Sequence, residues 1–190
     1  MSRILMVASE ATPFAKSGGL ADVAGALPQE LTRLGHEVAV VLPRYRSIRL
    51  DNAQRAWHNI PITLGSHSYS ADIFATRHRD VTVYLVDIPA LFDRPGGLYG
   101  HPDDHLRFGA FCHGALAAAR FLFTPDIVHL HDWQTSLCAS YLKTRYQLDP
   151  VLRDFKIVFT IHNLEYNGRF GRSVWGDLQL PDHLFAPRSE

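Results

Sequence analysis

Cysteine is scarce in these 190 residues: Cys112 and Cys138 are the only two, each inside an apolar segment and neither in a CxxC pair. That excludes a disulfide framework and a thiolate metal site of the usual spacing. The two read as reduced, buried thiols of a cytoplasmic protein, or of a mature plastid-type sequence. Net charge is missing too, since Lys plus Arg and Asp plus Glu each total 19. Bulk electrostatics therefore give no hold on nucleic acid or an anionic membrane, and neither is expected as a partner. Ile4 to Ala8 is too short an apolar run for a signal-peptide core or a membrane span. The sequence also lacks GxGxxG, Walker A, GxSxG and HExxH motifs. It thus offers no dinucleotide fingerprint, nucleoside-triphosphate cradle, serine-hydrolase elbow or zinc-protease helix. No acidic residue stands where a ribose of NAD would need one, which disfavours an oxidoreductase. No cofactor is expected, and no carboxylate pair for glycoside hydrolysis follows from spacing.

What is present alternates between buried strands and amphipathic helices. Arg3 to Ala8 reads as a parallel strand, and Thr12 to Gly19 as a loop. Leu20, Val23, Ala24, Leu27, Leu31 and Leu34 recur at helical spacing, and Gly35 stands where a C-terminal cap belongs. Pro28 is expected to disturb that helix. Glu37 to Leu42 is a second strand. Ile60 to Leu64, Tyr69 to Ala75 and Val81 to Val86 alternate as a β-meander, with turns at Gly65-Ser66 and His78 to Asp80. Asp93 to Asp104 is a loop whose final aspartates, Asp103 or Asp104, can cap the helix that runs to about Phe123. Asp126 to Leu130 and Lys156 to Ile161 read as buried strands, with a helix over Trp133 to Tyr146 between them. The order predicts a doubly wound, Rossmann-like α/β domain with the meander inserted into, or flanking, its parallel sheet.

In such a sheet, ligands collect beyond the carboxyl ends of the strands. Lys16-Ser17-Gly18-Gly19-Leu20-Ala21-Asp22-Val23 follows the first strand. Its glycines free backbone N–H groups at a helix start, and Lys16 adds positive charge, which suits a phosphate. A plain Gly-Gly turn with a solvated lysine fits equally well. His131-Asp132-Trp133 follows a later strand. His129 and His131 share a face, so His129, His131 and Asp132 could ligate a metal. Only one HxH occurs, and a packed His129 beside a hydrogen-bonding pair is preferred, so no metal is assigned. His162-Asn163 follows the last strand, where imidazole and carboxamide can meet sugar hydroxyls, or His162 can be structural. Tyr99, within Gly96-Gly97-Leu98-Tyr99-Gly100, can stack on a sugar or anchor its loop. Hydroxyl-binding groups and one anion loop without a nucleophile suit transfer of an already activated sugar.

Four co-linear motifs carry a resemblance: Lys16 to Val23, Asp93-Arg94-Pro95 with Leu98-Tyr99-Gly100, His131-Asp132-Trp133, and His162 to Phe170. Together they resemble the bacterial glycogen synthase and plant starch synthase family over essentially the whole chain. The resemblance implies a glycosyltransferase-B fold in which residues 1–190 supply an incomplete N-terminal catalytic domain, the C-terminal nucleotide-binding domain being absent. It implies ADP-glucose as donor, an α-1,4-glucan as acceptor, and retention of configuration. Lys16 and the backbone of Gly18 and Gly19 would face the donor, with Asp22 supporting their loop. Tyr99, Asp132, His162 and Asn163 would surround the transferred glucose, and His131 and Trp133 are counted with the substrate-binding residues. His162 and Asp132 are the expected catalytic pair. Ser17 stands where Thr is common, and Glu165 and Asn167 replace a frequent Ala and Gln. A non-catalytic glucan-binding fragment of the same fold is the alternative.

Overall fold

The computed structural model describes residues 1–185. Seven strands form one sheet in the order β3-β4-β5-β2-β1-β6-β7. They are β1 (Arg3–Val7), β2 (Glu37–Pro43), β3 (Gln54–Leu64), β4 (His67–His78), β5 (Val81–Asp87), β6 (Ile127–His131) and β7 (Lys156–Thr160). The helices are α1 (Gly19–Arg33), α2 (Pro89–Phe92), α3 (Asp104–Ala118) and α4 (Trp133–Lys143), and a π-helical turn at Ala119–Phe123 extends α3. Strands β5, β2, β1, β6 and β7 run parallel, while β3 and β4 join β5 as antiparallel hairpins. The meander therefore flanks the parallel sheet rather than interrupting it. Its strands run longer than their apolar alternation, because a hairpin ladder keeps pairing through polar residues. No helix among the described residues is long and apolar enough to cross a membrane.

Chain order runs leftward from β1 to β2 and β5, then restarts to the right with β6 and β7. The reversal puts a crevice at the carboxyl ends of β1 and β6. Leu5, Met6, Val41, Val128 and Leu130 are buried in the central strands. Helix α3 is apolar on nearly every side, as expected of an element buried between a sheet and a second helix. Helix α1 is one-faced: Leu20, Ala21, Ala24 and Pro28 are buried. Pro28 sits inside it, and the Gln29 side-chain amide donates to the Gly25 carbonyl one turn back. Leu34, placed on the packed face by periodicity, is 75% exposed because it caps the helix end. Gly35 follows with φ +89°, and the N–H groups of Gly35 and His36 bond the carbonyls of Thr32 and Leu31. This is the Schellman closure the sequence predicts.

Three expectations are corrected. Strand β7 is not buried: Val158 and Phe159 are 44% and 43% exposed, because no described strand lies beyond it. Helix α4 ends at Lys143, short of Tyr146. Neither Asp103 nor Asp104 caps α3 through its side chain. Asp103 pairs with Arg94 at 2.7 Å. Asp104 lies inside α3, where its carboxylate accepts the Gly100 N–H at 2.8 Å and pairs with the buried Arg107 at 2.5 Å. Arg107 also donates to the carbonyls of Leu91 and Leu98. A buried ion pair thus shapes the loop carrying Tyr99, because polar groups taken out of water must find partners.

Candidate functional site at the strand tips

Three adjacent parallel strands, β1, β6 and β7, end side by side, and most of the candidate residues lie just beyond them. After β1 the chain buries Ser9 and Glu10, turns through Ala11 to Ala15, and enters α1. Gly25 permits that approach: a Cβ there would come within 2.8 Å of the Thr12 carbonyl oxygen. Glu10 is only 2% exposed, and its carboxylate accepts the Ser17 N–H. The loop that begins α1 is therefore held from beneath by a buried acid that sequence reasoning missed. The one signal was an acidic residue directly after an apolar strand, at a carboxyl end.

Lys16 and Asp22 are both exposed, and the Lys16 ammonium donates to both carboxylate oxygens at 2.6 and 2.8 Å. This tie keeps the lysine over the first turn of α1. Gly18 is the N-terminal cap residue and supplies no side-chain cap, so the first N–H groups of α1 keep their partial positive charge. A Cβ on Gly19 would meet nothing within 4 Å, so the space beside the loop is open. Tyr99 closes in from the 93–103 loop. Its hydroxyl lies 2.7 Å from the Ser9 hydroxyl, and its ring packs on Phe108. Burial holds the phenol far above its ordinary range, with Glu10 and Asp132 adding to the effect against the opposing Ser9 hydrogen bond. Tyr99 is thus a neutral phenol tied to the tip of β1.

Beyond β6, Asp132 has φ +58° and ψ 177°, a backbone region that costs a non-glycine residue strain. The bend turns its carboxylate toward β7, where Oδ1 accepts the His162 N–H at 2.7 Å. The His162 ring is bonded in turn to His131, with Nδ1 of His131 2.9 Å from Nε2 of His162. His131 is 0% exposed, so it lies behind His162 and meets no ligand directly. Burial, with His129 and His162 adjacent, pushes His131 down to about 3. His129 sends Nε2 to the Thr160 hydroxyl at 2.8 Å. Each residue of the trio considered for a metal commits one side-chain atom to these hydrogen bonds.

Trp133 packs edge-on against Phe108 and Phe170. Gly168, at φ +63°, lies so close that a Cβ would come within 2.4 Å of the indole. The half-buried tryptophan thus anchors the 163–171 loop. Asn163 is exposed. Its Oδ1 accepts the Glu165 N–H at 2.9 Å, which leaves its amide N–H groups for a ligand.

Residues 3–189 match the family described as starch synthase catalytic domain. The chain belongs to that family. It is 42% identical over 179 residues to the glycogen synthase of Alkaliphilus metalliredigens, covering 93% of this chain and 38% of that protein. It is 39% identical over 189 residues to the glycogen synthase of Moorella thermoacetica, covering 97% and 38%. Among solved structures it resembles the catalytic domain of starch synthase IV from Arabidopsis thaliana, bound to ADP and acarbose. That likeness has a TM-score of 0.86 at 30% identity and covers 96% of this chain and 38% of the other. The chain thus spans well under half the length of these starch and glycogen synthase relatives. The Rossmann-like α/β architecture expected from the sequence is the one this family has.

Proposed function

We propose that the protein carrying this chain transfers glucose from ADP-glucose to the non-reducing end of an α-1,4-glucan, with retention. Residues 1–190 supply the first half of a two-domain cleft, and the partner domain brings most of the nucleotide site. One observation within the chain carries the reading: an anion-attracting loop and an Asp132–His162 pair stand at adjacent strand tips. Support from outside the chain is family membership and the ADP and acarbose named for the Arabidopsis relative.

The chemistry breaks the C1–O bond to the diphosphate and forms a C1–O bond to the acceptor hydroxyl, whose proton is released. Negative charge grows on the departing diphosphate. Lys16 and the uncapped start of α1 are placed to stabilise it. Asp132 holds the His162 backbone, and the ring of His162 with the amide of Asn163 meets the hydroxyls of the transferred glucose. Half a cleft excludes little water and brings only part of the charge, so residues 1–190 alone should not turn over.

The test is incorporation of labelled glucose from ADP-glucose into glycogen by the full-length protein, with UDP-glucose as competing donor. Lys16→Met should lower kcat by about 10²–10³, the scale of losing one preorganised charge contact. Its melting temperature should hold, since exposed ion pairs contribute little to stability. No incorporation from either donor, or unchanged kcat in Lys16→Met, would overturn the reading.

A further inference from the structure

His131 cannot reach a ligand, yet it makes the one side-chain hydrogen bond that the His162 ring forms among the described residues. The two rings are nearly parallel, at 16°, with centroids 5.2 Å apart, and His129 covers His131 at 4.1 Å. Nε2 of His131 is buried with no hydrogen-bond partner.

Two neutral imidazoles joined by one hydrogen bond have two possible proton arrangements. With the His131 proton on Nε2, a buried N–H would lack an acceptor, and His162 would have to donate from its own Nε2. With the proton on Nδ1, the unpartnered buried atom is only a lone pair, and Nε2 of His162 accepts. Orphaned buried N–H groups are the rarer and costlier defect. We propose that His131 is a positioning residue: it donates from Nδ1 to Nε2 of His162 and so fixes His162 as the tautomer protonated on Nδ1. That nitrogen has no partner among the described residues, so an N–H is what His162 offers outward. His162 then acts as a hydrogen-bond donor to a sugar oxygen and not as a proton acceptor. This last consequence rests on the proposed transfer function; the tautomer itself does not.

Long-range 1H–15N correlation spectra of the full-length protein, with histidine 15N-labelled and His162 assigned through His162→Gln, read the tautomer directly. The expected pattern is a protonated Nδ1 and an unprotonated Nε2 on His162; the reverse pattern overturns the proposal. His131→Phe keeps the planar ring and loses the donor. It should release His162 from the single tautomer and lower kcat about tenfold, the worth of one well-aligned hydrogen bond, with KM little changed. His131→Asn, whose carboxamide can still donate from the Nδ1 position, should recover part of that loss. Equal losses in folded Phe and Asn variants would reduce His131 to packing and sink the idea. An inactive wild-type protein would instead count against the transfer function and leave the spectrum to decide the tautomer.

Discussion

Asp132 Oδ1 accepts the backbone N–H of His162 at 2.7 Å, joining the end of β6 to the end of β7. Asp132 makes this bond from a backbone at φ +58° and ψ 177°. That region costs a non-glycine residue of order 1–3 kcal/mol. Losing the hydrogen bond costs about 1–3 kcal/mol as well. Asp132→Gly should therefore melt close to wild type, while turnover falls at least about tenfold as His162 loses its tether. Asp132→Asn, which keeps an acceptor oxygen, should lie between the two in turnover. Thermal melts and steady-state kinetics on the same preparations check this. Full turnover in Asp132→Gly would show that the tether is dispensable.

Glu10 is the second prediction. Its buried carboxylate accepts the Ser17 N–H beneath the loop that carries Lys16. Glu10→Ala removes the acceptor and should cost about 1–3 kcal/mol of stability. The effect should also reach KM for the donor, because the loop is no longer held. Glu10→Gln keeps an acceptor oxygen and should restore most of both. Denaturant titration together with donor kinetics separates these outcomes. A Glu10→Ala protein as stable as wild type would mean that Ser17 needs no partner there.

Acid should destabilise the fold earlier than carboxylate titration alone would bring about. Burial pushes His131 down to about 3 and His113 down to about 4, from an ordinary 6.5. Below pH 6.5 the unfolded chain takes up protons on both imidazoles while the folded chain does not. Their contribution is therefore complete above about 6.5 and is lost progressively as pH falls toward the folded values. His113 is stacked on Tyr141 and bonded to the Tyr146 hydroxyl through Nδ1. His113→Phe should flatten the fall in melting temperature between pH 6.5 and 4. An unchanged slope would show that His113 titrates freely in the folded chain.

Much of the architecture was legible in the residues themselves. Strand and helix periods are local, so β1, β2, β6 and α1 could be placed from spacing, and Gly35 marked a helix end because positive φ favours glycine there. The motifs also placed the candidate residues just beyond strand ends, since a parallel sheet sends its loops there. Burial of β7 was misread, because an apolar run does not say whether a neighbour covers it. The supporting groups were out of reach for the same kind of reason. Glu10 beneath Ser17 and Arg107 under the Tyr99 loop act across 7 and 9 residues of irregular chain, and His131 behind His162 across 31, and none of these spacings follows a helix or strand period. Sequence by itself decided which groups stand at the strand tips, because side-chain identity and short-range period suffice for that. Only the tertiary structure decided which of those groups face outward and which are spent holding their neighbours. Hydrogen-bond partners are chosen by distance in space, and burial removes the water that would otherwise serve in their place.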